Sequence, residues 1–360
     1  MAREKTKCMT SIGGQALIEG IMMRGPRKTA VAVRLPNKTI ETEYLEIKTL
    51  RDKYPLFRAP LLRGIAGFID SLSIGYRALM LSAEKSDEET GEEEMGRFDA
   101  WIDRKFGDKA MKAVTVTGTV LGVALAVLLF FVLPTWIYNL IGGAVPFMQE
   151  NQILRSLIEG VMRLAIFIGY VILCSQVEGV GRVFEYHGAE HKCINCIERG
   201  RELTVKNVRK SSRLHKRCGT SFLLFVMLVS IVLFLFIRVQ NPLLRLGLRI
   251  LLIPVIAGIS YELIRLAGRS DNFLVRIISA PGMWLQRLTT KEPDDSMIEV
   301  AIASVEAVFD WKAYLKETFG YDVEDWEKQD AAAKAQETED AEAAEGMEAG
   351  KAAAEESREQ

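Results

Sequence analysis

The chain has 360 residues, 49% apolar and 26% charged, and its 46 basic and 47 acidic side chains leave a formal charge of -1. Glycine shows no three-residue period and five cysteines are few for the length, which excludes collagen-like and disulfide-scaffold classes, while long apolar stretches exclude a wholly disordered chain. The charge is unevenly placed, because residues 321–360 hold 14 acidic and 4 basic side chains, a net of -10, so residues 1–320 carry +9.

Residues 1–11 are basic and polar and no apolar core with a cleavage site follows them, so no secretory signal is expected. Residues 1–59 read as a β-rich N-terminal segment. Apolar and β-branched residues alternate in ALIEGIMMR, TAVAVRL and IETEYLEIK, with turns at Gly25-Pro26 and Pro36-Asn37, which predicts a three-stranded antiparallel meander. Residues 60–83 have helical spacing, with Arg63, Asp70 and Arg77 at seven-residue intervals, and suit an amphipathic helix in the membrane interface or packed on the bundle. Residues 84–112 open as a solvated linker, seven acidic and one basic side chain over 84–94, and close as an interfacial helix.

Four segments meet the ~20-residue length of a spanning helix: Ala113–Leu140, Leu157–Val177, Thr220–Ile237 and Leu243–Leu266. They make residues 113–267 a membrane domain. The connection 179–218 carries ten Lys/Arg and four Glu, whereas the opposite links, 141–156 and 239–246, carry one Arg each. By the positive-inside rule, both termini and the 179–218 loop of a multi-pass membrane protein face the cytoplasm. Within residues 268–320, the stretch FLVRIISAPGMWLQRL, broken at Pro281-Gly282, reads as an interfacial helical hairpin or a segment packed under the bundle. Acidic helix-start residues then precede one amphipathic helix, MIEVAIASVEAVFDWKAYL. The Ala/Glu-rich tail, 321–360, is expected to be disordered. The fold class is thus an α-helical membrane protein with four transmembrane helices, a small N-terminal antiparallel sheet and cytoplasmic or interfacial amphipathic helices. No internal repeat is visible, which argues against an inverted-repeat transporter.

All three histidines, His187, His191 and His215, fall in the basic loop. His187, Glu190 and His191 form H-x-x-E-H, which puts all three on one face of a helix, with two imidazoles as ligands of a divalent ion, zinc by preference, and Glu190 as general base. A further ligand is sought among His215, Cys218, Glu185 and Glu262. Glu262 is the ionisable residue in the apolar run Y-E-L-I-R-L, and reads either as a ligand or as an ion pair with Arg265. Cys193, Cys196 and Cys218 offer C-x-x-C and H-x-x-C spacings and read either as a closed structural zinc site or as small buried hydrophobes. The glycines of G-G-Q-A-L-I-E-G lack a Gly-Lys-Ser/Thr ending, so no nucleotide site is assigned.

The motifs GGQALIEGIMMRGP at 13–26, PLLRG at 60–64, HGAEHK at 187–192, RLHKRCGTSFL at 213–223 and PGMWLQRLTTKEPDD at 281–295 resemble the bacterial YqhQ-like family. That is a domain-of-unknown-function group often described as predicted metal-dependent enzymes. The resemblance implies a bacterial membrane protein in which the two His motifs and the Gly-rich N-terminal motif form one site. Two functions follow: a membrane-bound metal-dependent hydrolase, or a non-catalytic scaffold or membrane-protein biogenesis factor, associated with a translocon or ribosome, whose metal is structural or absent. The expected partners are the lipid bilayer and a protein at the cytoplasmic face, with no specific nucleic acid.

Overall fold

The computed structural model describes residues 9–87, 116–142, 151–237, 239, 241–269 and 272–321. The linker beyond Asp87, the interfacial helix expected before the first span and the acidic tail lie outside the described residues, apart from Tyr321 at the start of the tail. Four strands form one antiparallel sheet in chain order: β1 (Gly13–Leu17), β2 (Gly20–Arg24), β3 (Thr29–Arg34) and β4 (Ile40–Tyr44). The expected meander had three strands. ALIEGIMMR is instead a hairpin, in which Leu17 pairs with Gly20 and Glu19 takes a φ of 47°, reversing the chain inside what alternation reads as a single strand.

A short helix, α1 (Leu50–Lys53), leads through a 3-10 turn (Pro55–Arg58) to α2 (Leu62–Asp87). The 179–218 connection is largely helical, containing α5 (Glu178–Glu198) and α6 (Val205–Arg209). Near the C-terminus, the single helix expected after Glu292 is two, α11 (Asp295–Val308) and α12 (Trp311–Phe319). Phe309 is extended and Asp310 caps the second helix by accepting from the Ala313 N–H at 2.9 Å.

The central strands are covered on both faces, which explains why they read as nearly continuous apolar runs. Ile21, Met23, Ala30 and Ala32 pack with Tyr186, Ile194 and Ile197 of α5 and Met297, Ile298 and Val305 of α11. Leu17, Met22, Val31 and Val33 pack with Ile74 and Ala78 of α2. Each fully buried aliphatic side chain here contributes about 1.5–3 kcal/mol. Glu19, at the β1–β2 turn, chelates Arg182 of α5 at 2.5 and 2.6 Å and accepts from the Tyr186 hydroxyl at 3.1 Å, which ties the sheet to the helix bearing the histidines.

Among the described residues, three helical stretches are long and apolar enough to cross a membrane. They are α3 (Val116–Ile141), which widens into a π-type turn at Leu128–Val132, α4 (Gln152–Cys174), and the pair α8 (Pro242–Leu251) and α9 (Ile253–Arg269), which meet at Leu252 and supply the apolar stretch Leu243–Leu266. Their mean hydropathies are 2.6, 2.0 and 1.9. The fourth expected span is α7 (Gly219–Phe234), whose 16 residues extend about 24 Å against a hydrocarbon core of about 30 Å. Leu235, Phe236 and Ile237 follow it in i→i−3 turns that do not continue the α-helix. Between α4 and α8, Glu159 is fully buried and bonds Arg155 at 3.0 Å and Arg249 at 2.5 Å, with Arg245 at 3.9 Å.

Between α9 and α11, α10 (Phe273–Thr289) runs unbroken through Pro281, so no hairpin forms there. It packs against α7 and α9. Gly282 permits this approach, since a Cβ at that position would stand 2.7 Å from Ser221 Oγ of α7.

A candidate metal centre where three motifs meet

Helix α5 presents His187, Glu190 and His191 on one face, as the i, i+3, i+4 spacing requires. Gly188 between them is dictated by packing: the chain after α10 crosses α5 so closely that a Cβ at 188 would lie 2.0 Å from the Lys291 carbonyl oxygen. The crossing is pinned by the Lys291 N–H donating to the Phe184 carbonyl at 2.9 Å. It brings the carbonyl of Thr289 2.9 Å from His187 Nδ1, and the segment before α7 brings the carbonyl of Arg213 2.6 Å from His191 Nδ1.

A carbonyl oxygen can only accept, so both Nδ1 atoms carry the hydrogen and both Nε2 atoms are left with lone pairs whenever the rings are neutral. His187 Nε2 faces Cys218 Sγ at 3.1 Å. Ligand atoms of His187, His191 and Cys218 all lie within 4.8 Å of one another, a grouping able to hold a metal ion. Tetrahedral zinc with nitrogen and sulfur ligands needs an N···S separation of about 3.6 Å. The donor set, two imidazoles and a thiol, is the borderline-soft set zinc prefers. The residues therefore fit such an ion.

Cys218 caps α7, its sulfur accepting from the Thr220 N–H at 3.4 Å, so the helix N-terminus also favours a thiolate. Burial alone would push this thiol up, but the charges of His187 and His191 and their hydrogen bonds hold it well below the usual thiol range. Burial correspondingly works against charge on His187, and the Cys218 thiolate and Glu190 overcome it, raising that imidazole to about 9.

Glu190 is 5% exposed. Its Oε1 accepts from the Gly14 N–H at 2.9 Å, and its Oε2 is buried with no hydrogen-bond partner. Gly14 cannot be larger, since a Cβ there would lie 2.6 Å from the Met22 carbonyl and 3.0 Å from Glu190 Cδ. The Gly-rich N-terminal motif thus meets the His motifs by clamping the carboxylate.

His215 is buried beside the cluster, 5.6 Å from His191 between ring centres, with Nε2 3.5 Å from Glu198. Burial holds its pKa down, against the pull of Glu198. Glu198 itself is held low despite burial by His215, by Arg217 and by the Thr10 N–H. The backbone of His215 is gripped by Gln286 of α10, whose Oε1 accepts from its N–H at 2.8 Å and whose Nε2 donates to its carbonyl at 2.7 Å and to Ser221 Oγ at 2.8 Å.

The remaining candidates lie elsewhere. Glu262 is chelated by Arg63 at 2.6 and 2.5 Å, with Arg265 at 4.0 Å, and does not reach the cluster. Cys193 and Cys196 sit in the core under the sheet, where burial pushes the first well up and the second to about 11, and Cys196 Sγ donates to the Glu202 carbonyl at 3.2 Å. The three cysteines therefore form no common site, and only Cys218 joins the histidines. Sequence reasoning missed Gln286, Glu198 and the carbonyls of Thr289 and Arg213. Gln286 and Thr289 lie in the quoted PGMWLQRLTTKEPDD motif, the one available signal.

Comparison with known proteins agrees with the motifs. A family described as "Protein of unknown function (DUF1385)" matches residues 59–311, which include the cluster and begin after the sheet. "Uncharacterized protein YqhQ" of Bacillus subtilis (strain 168) is 35% identical over 306 residues, 83% of this chain and 92% of the relative. No solved structure matches.

Proposed function

The chain belongs to the DUF1385 family, and we propose that it is a metal-dependent hydrolase of the bacterial cytoplasmic membrane, with a zinc-like ion held by His187, His191 and Cys218. The observation that carries this reading is the pair of Nδ1–H groups committed to backbone carbonyls, which turns two Nε2 lone pairs and one thiolate onto a common point. A bound ion supplies Lewis acidity there.

The chain's own groups divide the remaining work. Glu190, fixed through Oε1 by Gly14, has its free Oε2 to take a proton from an attacking water and return it to a leaving group. His215 is a positioning residue: Gln286 holds its backbone, and its ring flanks His191. Glu262 is withdrawn from this role because Arg63 occupies both its oxygens.

Burial favours a second reading. His191 is 1% exposed and Cys218 5%, so an ion here also suits a structural staple joining α5, α7 and the end of α10 in a non-catalytic membrane factor that docks a protein at the cytoplasmic face. In both readings α7 makes a fourth, short crossing, shielded by α4, α9 and α10 and accommodated by local thinning of the bilayer. The ten cations of 179–218 then face the cytoplasm together with the site.

The test has two parts. Metal analysis of the full chain purified without chelators should find one zinc-like ion per chain, and none would remove both readings. Glu190→Gln should retain that ion and abolish metal-dependent hydrolysis across a panel of ester, phosphoester and peptide substrates. If the wild-type chain carries the ion and hydrolyses none of them, the structural reading replaces the enzymatic one.

A further inference from the structure

Four arginines line a cavity to which none of the histidines nor Cys218 contributes. Arg51 of α1, Arg58 of the 3-10 turn, Arg63 at the start of α2, and Tyr261 and Arg265 of α9 line an open cavity of about 260 Å³. Two carboxylates lie nearby. Glu262 is chelated by Arg63, and Asp52 accepts from the backbone N–H and the hydroxyl of Thr49 in the α1 capping box. Among the described residues, no hydrogen bond or ion pair engages Arg51 or Arg58. The cavity therefore keeps an excess of positive charge, with two guanidiniums whose hydrogen-bond donors are uncommitted.

Its position adds a second observation. Tyr261 and Arg265 lie in the last two turns of the apolar stretch Leu243–Leu266, so the cavity stands at one end of that stretch. Large apolar side chains stand exposed within three residues of each basic one in the chain: Tyr54 at 47%, Leu56 at 70%, Leu61 at 43% and Leu266 at 51%. Basic side chains beside exposed aliphatic and aromatic ones form the pattern of an interfacial lipid contact, with apolar groups reaching acyl chains and guanidiniums reaching the phosphate level. Guanidinium forks suit a phosphate group through paired N–H donors.

We propose that this cavity binds a phosphate-bearing anion at the membrane surface, namely the headgroup of an anionic phospholipid. Arg51 and Arg58 supply the free donors, Arg265 adds charge, and Arg63 is held in place by Glu262. The proposal is independent of the metal centre and rests on Leu243–Leu266 lying in the bilayer.

The full chain in neutral detergent is titrated with phosphatidylglycerol, with phosphatidylcholine and with inorganic phosphate, and bound ligand is counted by native mass spectrometry. Phosphatidylglycerol should bind in preference to phosphatidylcholine. Arg51→Gln/Arg58→Gln should weaken it about thirtyfold, roughly fivefold for each surface cation lost. The lipid-free melting temperature and the metal content should stay near wild-type values, because among the described residues neither side chain makes a hydrogen bond or salt bridge and the pull of Arg58 on the exposed Asp52 carboxylate is screened by solvent, and Arg58→Gln alone provides a milder variant with the same expected direction. Equal binding of phosphatidylglycerol by variant and wild type overturns the proposal. Saturation by inorganic phosphate with no preference between the two lipids overturns the lipid source and leaves a soluble phosphate compound as the ligand.

Discussion

Gln286→Leu removes three hydrogen bonds at the junction of α10 and α7 with little change of volume. The side chain is fully buried and, among the described residues, is the hydrogen-bond partner of both backbone groups of His215, its N–H at 2.8 Å and its carbonyl at 2.7 Å. Each orphaned buried group costs about 1–3 kcal/mol, so the variant should lose about 2–6 kcal/mol. At about 2–4 °C per kcal/mol this lowers the melting temperature by roughly 4–24 °C, read by thermal denaturation of the full chain in detergent. The same bonds fix the segment ending at Cys218, so zinc affinity should fall about 10- to 100-fold, as for other losses of outer-shell support. Gln286→Glu still accepts from the His215 N–H but cannot donate to its carbonyl, and should fall between the two. A melting temperature and zinc affinity equal to wild type in Gln286→Leu would refute the bridging role.

Gly188→Ala places a methyl against the Lys291 carbonyl and should disrupt both the crossing and metal retention, measured as soluble yield and zinc per chain. Glu159→Gln leaves Arg155, Arg245 and Arg249 without their shared counter-charge in a buried setting, and should destabilise the chain by about 3–5 kcal/mol in a denaturant titration. Alkylation of the native chain should modify Cys218 only after chelation, whereas Cys193 and Cys196, buried and held as thiols, should stay unmodified with or without metal; peptide mass mapping reads all three.

The local parts of the site were legible. Helical spacing alone puts His187, Glu190 and His191 on one face, and the long apolar runs mark the three helical stretches long and apolar enough to cross a membrane. Partners distant in sequence were not. Glu262 is drawn to Arg63 across 199 residues, and periodicity carries no information about such a pair. Cys218 lies three residues after His215, yet faces His187 because it caps a new helix that turns its sulfur toward α5. The two carbonyls that fix the imidazoles are backbone groups, which no residue type announces. The fourth strand was hidden because Glu19 turns the chain without the Gly or Asn that such a φ favours, and the unbroken α10 because Pro281 is tolerated within a packed helix.

The central claim is that His187, His191 and Cys218 form one metal site with Glu190 beside it. Zinc per chain, measured in the wild type, His187→Ala, His191→Ala, Cys218→Ala, Glu190→Gln and Glu262→Gln, tests it most directly. The prediction is one ion in the wild type, loss in the first three variants, and retention in Glu190→Gln and Glu262→Gln. Retention of the ion in Cys218→Ala, or its loss in Glu262→Gln with the fold intact, would contradict the assignment.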